Sequence, residues 1–412
     1  MPARAPHLHG TLRAFCLAAF AKLAPEAAQP EVPFVVQEHA SGLYEYQPLL
    51  RDHVQARSYW LAELPDARIA IDELRREPAA AIFASGHAGH ESAEGRALVQ
   101  GILLPLLVRT AEACGGFDWE DGAFERVYAE LERSLYGATR VYAARAPLVG
   151  VSAGGVVELG RGIVVRPSTV EELAGRWPDA RDVLPPGFGQ EPERSCLLEL
   201  ERELPSEEKE APDAPAELSD AVTAVRLATG APVAGGPVVL ERLDWHPFGM
   251  RSMLGIAATE PAGEPGRLDP WRGRLAGELL EQLVIAEGDS ELSEAVERWE
   301  LSLFEDEPLR SDRLRESLAA LLGGADGLWA AAMRATILLA DGNRERSGLI
   351  DRLRALARGE SPGVQVAEDI RRAIVETLLH DDRARLIVGL DETLLGLRPK
   401  PAGYFSARAV AG

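Results

Sequence analysis

Residues 314–324, Leu314-Arg315-Glu316-Ser317-Leu318-Ala319-Ala320-Leu321-Leu322-Gly323-Gly324, place leucines at positions 314, 318, 321 and 322. That spacing lines one face of a helix with 3.6 residues per turn, and the glycine pair ends it. The pattern recurs on both sides. Leu292, Ala295, Val296, Trp299 and Leu303 form a stripe before it, and Leu275, Leu279, Leu280 and Leu283 form an earlier one. After it come Leu328 to Ala340, ended by Asp341-Gly342, then Leu349 to Leu356, Ile370 to Leu378 and Leu386 to Leu394. Each segment has one apolar face, and short polar loops join most of them, as expected of an antiparallel helical bundle over 272–398. No repeat of fixed length is present, so a solenoid is not expected.

Upstream the period is mixed. Residues 1–30 read as a leader. Arg4 and Arg13 flank the apolar run Ala14–Phe20, which is closed by Lys22 and is short for a secretory signal, so an amphipathic helix or a disordered leader is expected. Residues 31–258 read as a mixed α+β domain. Helices are expected at 95–113, stopped by Gly115-Gly116, and at 122–136, where Phe124, Val127, Tyr128, Leu131 and Leu135 share a face. Val156 to Val165 reads as a hairpin, and Ser168 to Glu171 has capping-box spacing for a short helix. Strands are expected at 195–204, 220–228, 237–246 and 250–258, with a charged loop from Pro205 to Glu217. Pro261, Gly263, Pro265, Gly266 and Pro270 mark residues 259–271 as a linker, and 399–412 is a tail. The fold class is therefore α+β: a mixed α/β N-terminal region followed by an all-α antiparallel helical bundle.

With 46% hydrophobic residues in 412, the chain can bury cores for more than one domain. The net charge of −21 excludes a general attraction to phosphate backbones, and so general DNA binding. Residues 311–400 are the exception, with 13 Arg and one Lys against 14 Asp and Glu, so a local basic face is easiest to build there. Three cysteines without CxxC spacing, Cys16, Cys114 and Cys196, point to neither a disulfide framework nor a zinc site and fit a reduced, cytoplasmic protein. The longest apolar run, Gly101 to Val108, is short for a membrane span and contains Pro105, so no membrane partner is expected.

Several short motifs, taken in order, resemble the Apea-like form of the HEPN helical domain. Arg298-Trp299-Glu300 resembles its Arg-aromatic-Glu helix start. Arg313-Leu314 with Ser317 to Leu322 resembles "ALEALL", Met333-Arg334-Ala335 with Leu338-Leu339 resembles "LRAARLL", and Leu353 to Arg358 resembles the segment before the catalytic motif. Phe124-Glu125-Arg126, Leu131-Glu132, Tyr136, Ala146 to Gly150 and Glu158-Leu159 resemble the N-terminal part of the same proteins. The resemblance implies a homodimer through the helical domain and an RNA or protein partner.

Active members of this family are metal-independent ribonucleases with an Arg, four to six residues, and a His. The His moves a proton near neutral pH and the Arg stabilises charge on phosphate. Here Arg358 fits the motif arginine, but Pro362 and Gly363 stand where the His belongs, and Ala319 replaces the Glu of "ALEALL". The expectation is a non-catalytic HEPN-like binding or regulatory protein linked to RNA metabolism, stress or phage defence, with Arg334, Arg354 and Arg358 as binding candidates. One alternative is a ribonuclease with a rearranged site of Arg358 and His380, and another is a scaffold. No cofactor is expected, because no phosphate-binding glycine loop or Cys/His cluster is present.

Other motifs carry less. Gly150-Val151-Ser152-Ala153-Gly154 has the GxSxG pattern, but Gly155 and a β-branched run follow it, so a turn between strands is expected rather than a nucleophile elbow. His87, His90 and Glu91 form an incomplete metal set and read as a solvated loop. Asp244 to Phe248 joins two strands and reads as a cap on a sheet edge.

Overall fold

The computed structural model describes residues 4–27, 34–38, 44–48, 50–85, 94–174, 177, 180–185, 188–189, 195–205, 207–208, 210–244, 246–253, 264–286, 288–360, 363–380 and 382–403. The chain is α+β, with an antiparallel sheet and a C-terminal helical region. It forms two compact units. The first holds residues 1–145, 201–214 and 238–252, and the second holds 146–200, 215–237 and 253–412. The chain thus passes between units five times, and neither unit coincides with the sequence stretches 31–258 and 272–398.

The first unit begins with α1 (Pro6–Ala27), β1 (Phe34–Glu38), β2 (Tyr44–Pro48), α2 (Leu50–Gln55), α3 (Ser58–Ala62), α4 (Pro65–Leu74) and α5 (Ala80–Ser85). α6 (Glu94–Leu98), a π turn (Val99–Leu103), α7 (Leu104–Cys114) and α8 (Asp121–Tyr136) follow. The segment read as a leader is α1. Leu8, Leu12, Phe15, Cys16, Ala19 and Leu23 recur at helical spacing and are buried, and the helix packs on α4. The stretch Gly95–Cys114, with mean hydropathy 1.4, is long and apolar enough to cross a membrane, which differs from the sequence reading. Two-thirds of it (67%) is buried inside the protein, as in a core helix. α7 ends at Gly115, whose φ of 72° gives the left-handed cap expected of the glycine pair.

β3 (Thr139–Val149) starts in the first unit, where Tyr142 to Arg145 pair antiparallel with β9 (Val238–Leu243), and β9 pairs with β10 (His246–Ser252). Asp244 turns the hairpin with φ 50°, and its carboxylate accepts from the Val141 amide at 2.9 Å. Asp244 thus makes the turn, Trp245 lies outside the described residues, and His246 to Phe248, expected in the connection, belong to β10 itself.

In the second unit β3 ends, and β4 (Val151–Ala153), β5 (Val157–Gly160), β6 (Ile163–Pro167), α9 (Val170–Ala174), α10 (Ala180–Val183) and β7 (Ser195–Pro205) follow, β7 leaving the unit after Leu200. β5 and β6 form the expected hairpin, and β6 pairs antiparallel with β7 from Ile163↔Leu200 to Pro167↔Cys196. α11 (Ala214–Thr229) then replaces the strand expected at 220–228. Val222, Thr223 and Val225 suggest a strand, but Leu218, Ala221, Val222, Val225 and Ala228 are the buried set, at helical period. β8 (Ala234–Gly235) pairs with the end of β3, and β11 (Gly266–Leu268) pairs parallel with β4. Residues 254–258 of the last expected strand lie outside the described residues.

The helical region is α12 (Pro270–Ala286), α13 (Ser290–Ser302), α14 (Leu309–Leu322), α15 (Gly327–Leu339), α16 (Asn343–Ala357), α17 (Val364–Leu378) and α18 (Arg383–Leu394). Each stripe read from the leucines is one of these helices. α17 packs on α12, α13, α14, α15, α16 and α18, and buries nearly all its length from Val366 to Leu378. α14 ends at Gly323, where a methyl group would sit 2.4 Å from the Ala319 carbonyl oxygen. α11 joins this core through a buried ion pair. Arg226 reaches Glu300 at 2.8 Å, Thr223 donates to the same oxygen at 2.8 Å, and Arg226 also caps the Val233 carbonyl at 2.7 Å.

Candidate functional site

Two of the four sequence candidates meet at one end of the helical region. α15 and α16 are joined by a short loop and pack side by side, so the start of α15 lies beside the end of α16. Trp329, in the first turn of α15, is 48% exposed, and the Arg354 guanidinium carbon lies 4.9 Å from its ring centroid. Arg358 lies one turn further on the same face of α16, its amide donating to the Arg354 carbonyl at 3.0 Å. Gly359 (φ 78°) turns the chain out of the helix, and a methyl group there would sit 3.2 Å from Arg315 Nη1 on α14. Trp329, Arg354, Arg358 and Arg315 therefore share one end.

The electrostatics leave these cations available. Arg358 pairs with Glu360 at 2.7 Å, with side chains 64% and 55% exposed, so water screens the pair and its disruption costs little. Arg315 pairs with Asp312, three residues before it, with side chains 31% and 46% exposed. α17 begins nearby at Gly363 with no acidic residue in its first turn, so its unpaired amides add positive potential. An indole face backed by a guanidinium can stack a planar base, and flanking arginines can hold phosphate oxygens.

The other two candidates lie elsewhere. Arg334 is buried and its fork is filled: Nε and Nη2 hold Asp391 at 2.7 and 2.8 Å, Nη2 holds Asp326 at 2.6 Å, and Nη1 donates to the Leu322 and Gly323 carbonyls at 2.8 and 3.0 Å. The bond to Asp391, above all, raises its pKa further. Arg334 is thus a clamp between α15, α18 and the end of α14. His380 follows α17, half-buried, with Nδ1 unpartnered among the described residues.

Arg358 and His380 do not meet within the chain. α16 and α17 are antiparallel: Arg352 bonds Asp369 at 2.7 Å, while Arg344 near the start of α16 shares a cleft with Arg372 and Glu376. From the Arg352–Asp369 crossing, Arg358 and His380 diverge, and at 1.5 Å per residue they stand about 25 Å apart along the axes. Both N–H-rich Arg and imidazole are present, but no shared groove joins them.

The remaining motifs resolve into structure. Ser152 lies in β4, beside β11, with no helix after it, as the flanking glycines imply. His87, His90 and Glu91 lie outside the described residues. Among the described residues, no group of three or more His, Cys, Asp or Glu could hold a metal ion. In the first unit, Tyr142, Glu241 and Arg251 form a buried cluster, with Arg251 on Glu241 at 2.7 and 2.8 Å and on the Pro212 carbonyl at 2.6 Å. It ties β3, β9, β10 and the loop before α11 together. Trp329 and Arg315 were missed by sequence reasoning, because nothing local marks them. No family model, no curated protein and no solved structure matches the chain.

Proposed function

We propose that the helical region is a HEPN-like module that binds single-stranded RNA without cleaving it, in the reducing cytoplasm where its three cysteines stay thiols. The observation that carries this is the exposed Trp329 stacked with Arg354 and flanked by Arg358 and Arg315, while His380 stands far from Arg358 in the same chain. A base stacks on the indole, and the arginines meet neighbouring phosphates. The chain's overall negative charge confines binding to this local face, so affinity falls steeply with salt. Two copies packed through the helical region would double the face and give it avidity.

Fluorescence anisotropy with a labelled single-stranded RNA tests it. Base stacking is worth about 1–3 kcal/mol, so Trp329→Ala should weaken binding by about 5- to 150-fold. Arg358→Ala should lower both affinity and the salt slope. Equal affinity in wild type and Trp329→Ala would overturn the reading. Metal-free cleavage lost in an Arg358→Ala/His380→Ala variant would instead make the protein a ribonuclease with its site assembled between copies.

A further inference from the structure

In the first unit a pocket of about 490 Å³ opens between α3, α4, α6 and the π turn, within the size range of small-ligand sites. Its floor is apolar, made by Ala62, Ile71, Gly95 and Val99, with Ile71 and Val99 buried. Gly95 lets α6 come close to α4, because a methyl group there would sit 3.3 Å from Arg75 Nη2 and 3.8 Å from Ile71 Cγ2.

Two features mark this space as a site rather than a gap between helices. Pro105 has no N–H to give the Gly101 carbonyl, and the turn before it is wide: the Leu104 amide donates to the Val99 carbonyl, five residues back. This turn places Val99 and Gln100 in the pocket wall, and wide turns of this kind recur at functional sites. The second feature is the polar part of the wall. The Ser58 hydroxyl, the Gln100 side-chain amide and the Arg96 guanidinium make no hydrogen bond or ion pair among the described residues. The Tyr59 ring, 79% exposed, lines the same space.

The charges select the ligand. Glu63 is the one acid in the wall, and Arg68 holds it at 2.5 Å. Arg75, beside Gly95, is paired with Asp72 at 3.1 Å. Arg96 is therefore the single uncompensated charge at the pocket. One such cation above an apolar floor fits a monoanion with an apolar body. A cationic ligand would be repelled by Arg96, and a second anionic group would have only Glu63 or the floor to rest against. We propose that this pocket binds a small aromatic monocarboxylate, its carboxylate on Arg96 and Gln100 and its ring against Tyr59 and the floor of Ile71 and Val99. The guanidinium fork matches the two carboxylate oxygens, the tyrosine ring suits a flat partner, and the Ser58 hydroxyl can bond a ring substituent. The site lies in the first unit and does not rest on the RNA reading of the helical region.

The test is isothermal titration of the full-length protein with benzoate, 4-hydroxybenzoate, cinnamate and indole-3-acetate. The corresponding neutral amides and inorganic phosphate serve as comparisons. At least one carboxylate should bind, and its amide should bind about tenfold more weakly or not at all. Arg96→Gln, at an exposed position, should weaken the carboxylate by about tenfold or more with unchanged circular dichroism. Ala62→Trp should abolish binding by filling the floor, and Trp329→Ala should leave it intact, which separates this site from the RNA face. Binding of none of the four carboxylates, equal binding of acid and amide, binding of phosphate alone, or equal affinity in Arg96→Gln would each overturn the proposal.

Discussion

Arg334 offers the sharpest test of how the helical region is held together. Its two carboxylate partners keep access to water, with Asp391 41% and Asp326 63% exposed, so losing the arginine leaves them largely solvated. Their share is accordingly small, about 0.5–1 kcal/mol each. The Leu322 and Gly323 carbonyls are different, because both residues are buried at the end of α14. Gly323 keeps a bond from the Asp326 amide at 3.1 Å, so the Leu322 carbonyl is the group that loses its side-chain donor, at about 1–3 kcal/mol. Arg334→Ala should therefore lower stability by about 3 kcal/mol, the larger part through one main-chain group. Arg334→Lys keeps the charge but cannot span carboxylate and carbonyls with one planar fork, so about half the loss should remain. Urea titration of the full-length variants, followed by far-UV circular dichroism, measures both. A loss under 1 kcal/mol in Arg334→Ala would refute the clamp and return Arg334 to the list of residues free to bind a ligand.

Two glycines that both end helices should respond differently. Gly115→Ala meets open space and pays only for its left-handed backbone, about 1 kcal/mol, whereas Gly323→Ala drives a methyl group into the Ala319 carbonyl and should cost more than twice that, as urea midpoints will read. Acid should weaken the helical region in a defined window. Burial raises the Asp289 pKa, but bonds from Arg383 and the Leu292 amide outweigh it, and the bond from Lys400 likewise lowers Asp341. Both folded values lie below the ordinary 3.8, so their stabilisation is present above that pH and lost as pH falls through the folded values. Arg383→Gln should flatten the pH dependence of the urea midpoint below about pH 4, and an unchanged slope would count against the pair. Burial holds the Cys16 thiol far up and pushes Cys196 up to about 11, so a disulfide reagent at pH 8 should label neither in the native protein and both in urea. Rapid native labelling of either would contradict their burial.

The helical region was legible because each of its helices carries its own stripe and its own stop. Leu314, Leu318, Leu321 and Leu322 need no distant partner to be read, and the same holds for the hairpin of Val157 to Val165. α11 was misread because β-branched Val222, Thr223 and Val225 favour strands locally, and only the packing of Leu218, Ala221 and Ala228 decides for helix. Arg334 was legible as an arginine on a helix, but its role depends on Asp391, 57 residues away. Trp329 was invisible for the same reason. Its significance lies in what stands across the gap, the Arg354 guanidinium.

The interleaving of the two units has a temporal side. Arg226 leaves the ribosome 74 residues ahead of Glu300, the carboxylate that neutralises it in the finished core. At 5–20 residues per second, α11 waits roughly 4–15 s for its counter-ion. During that interval its guanidinium must remain hydrated. A nascent chain stalled before residue 300 is therefore a natural client for a chaperone. A gene fragment that starts at residue 272 inherits the converse fault, with Glu300 made and its arginine never supplied.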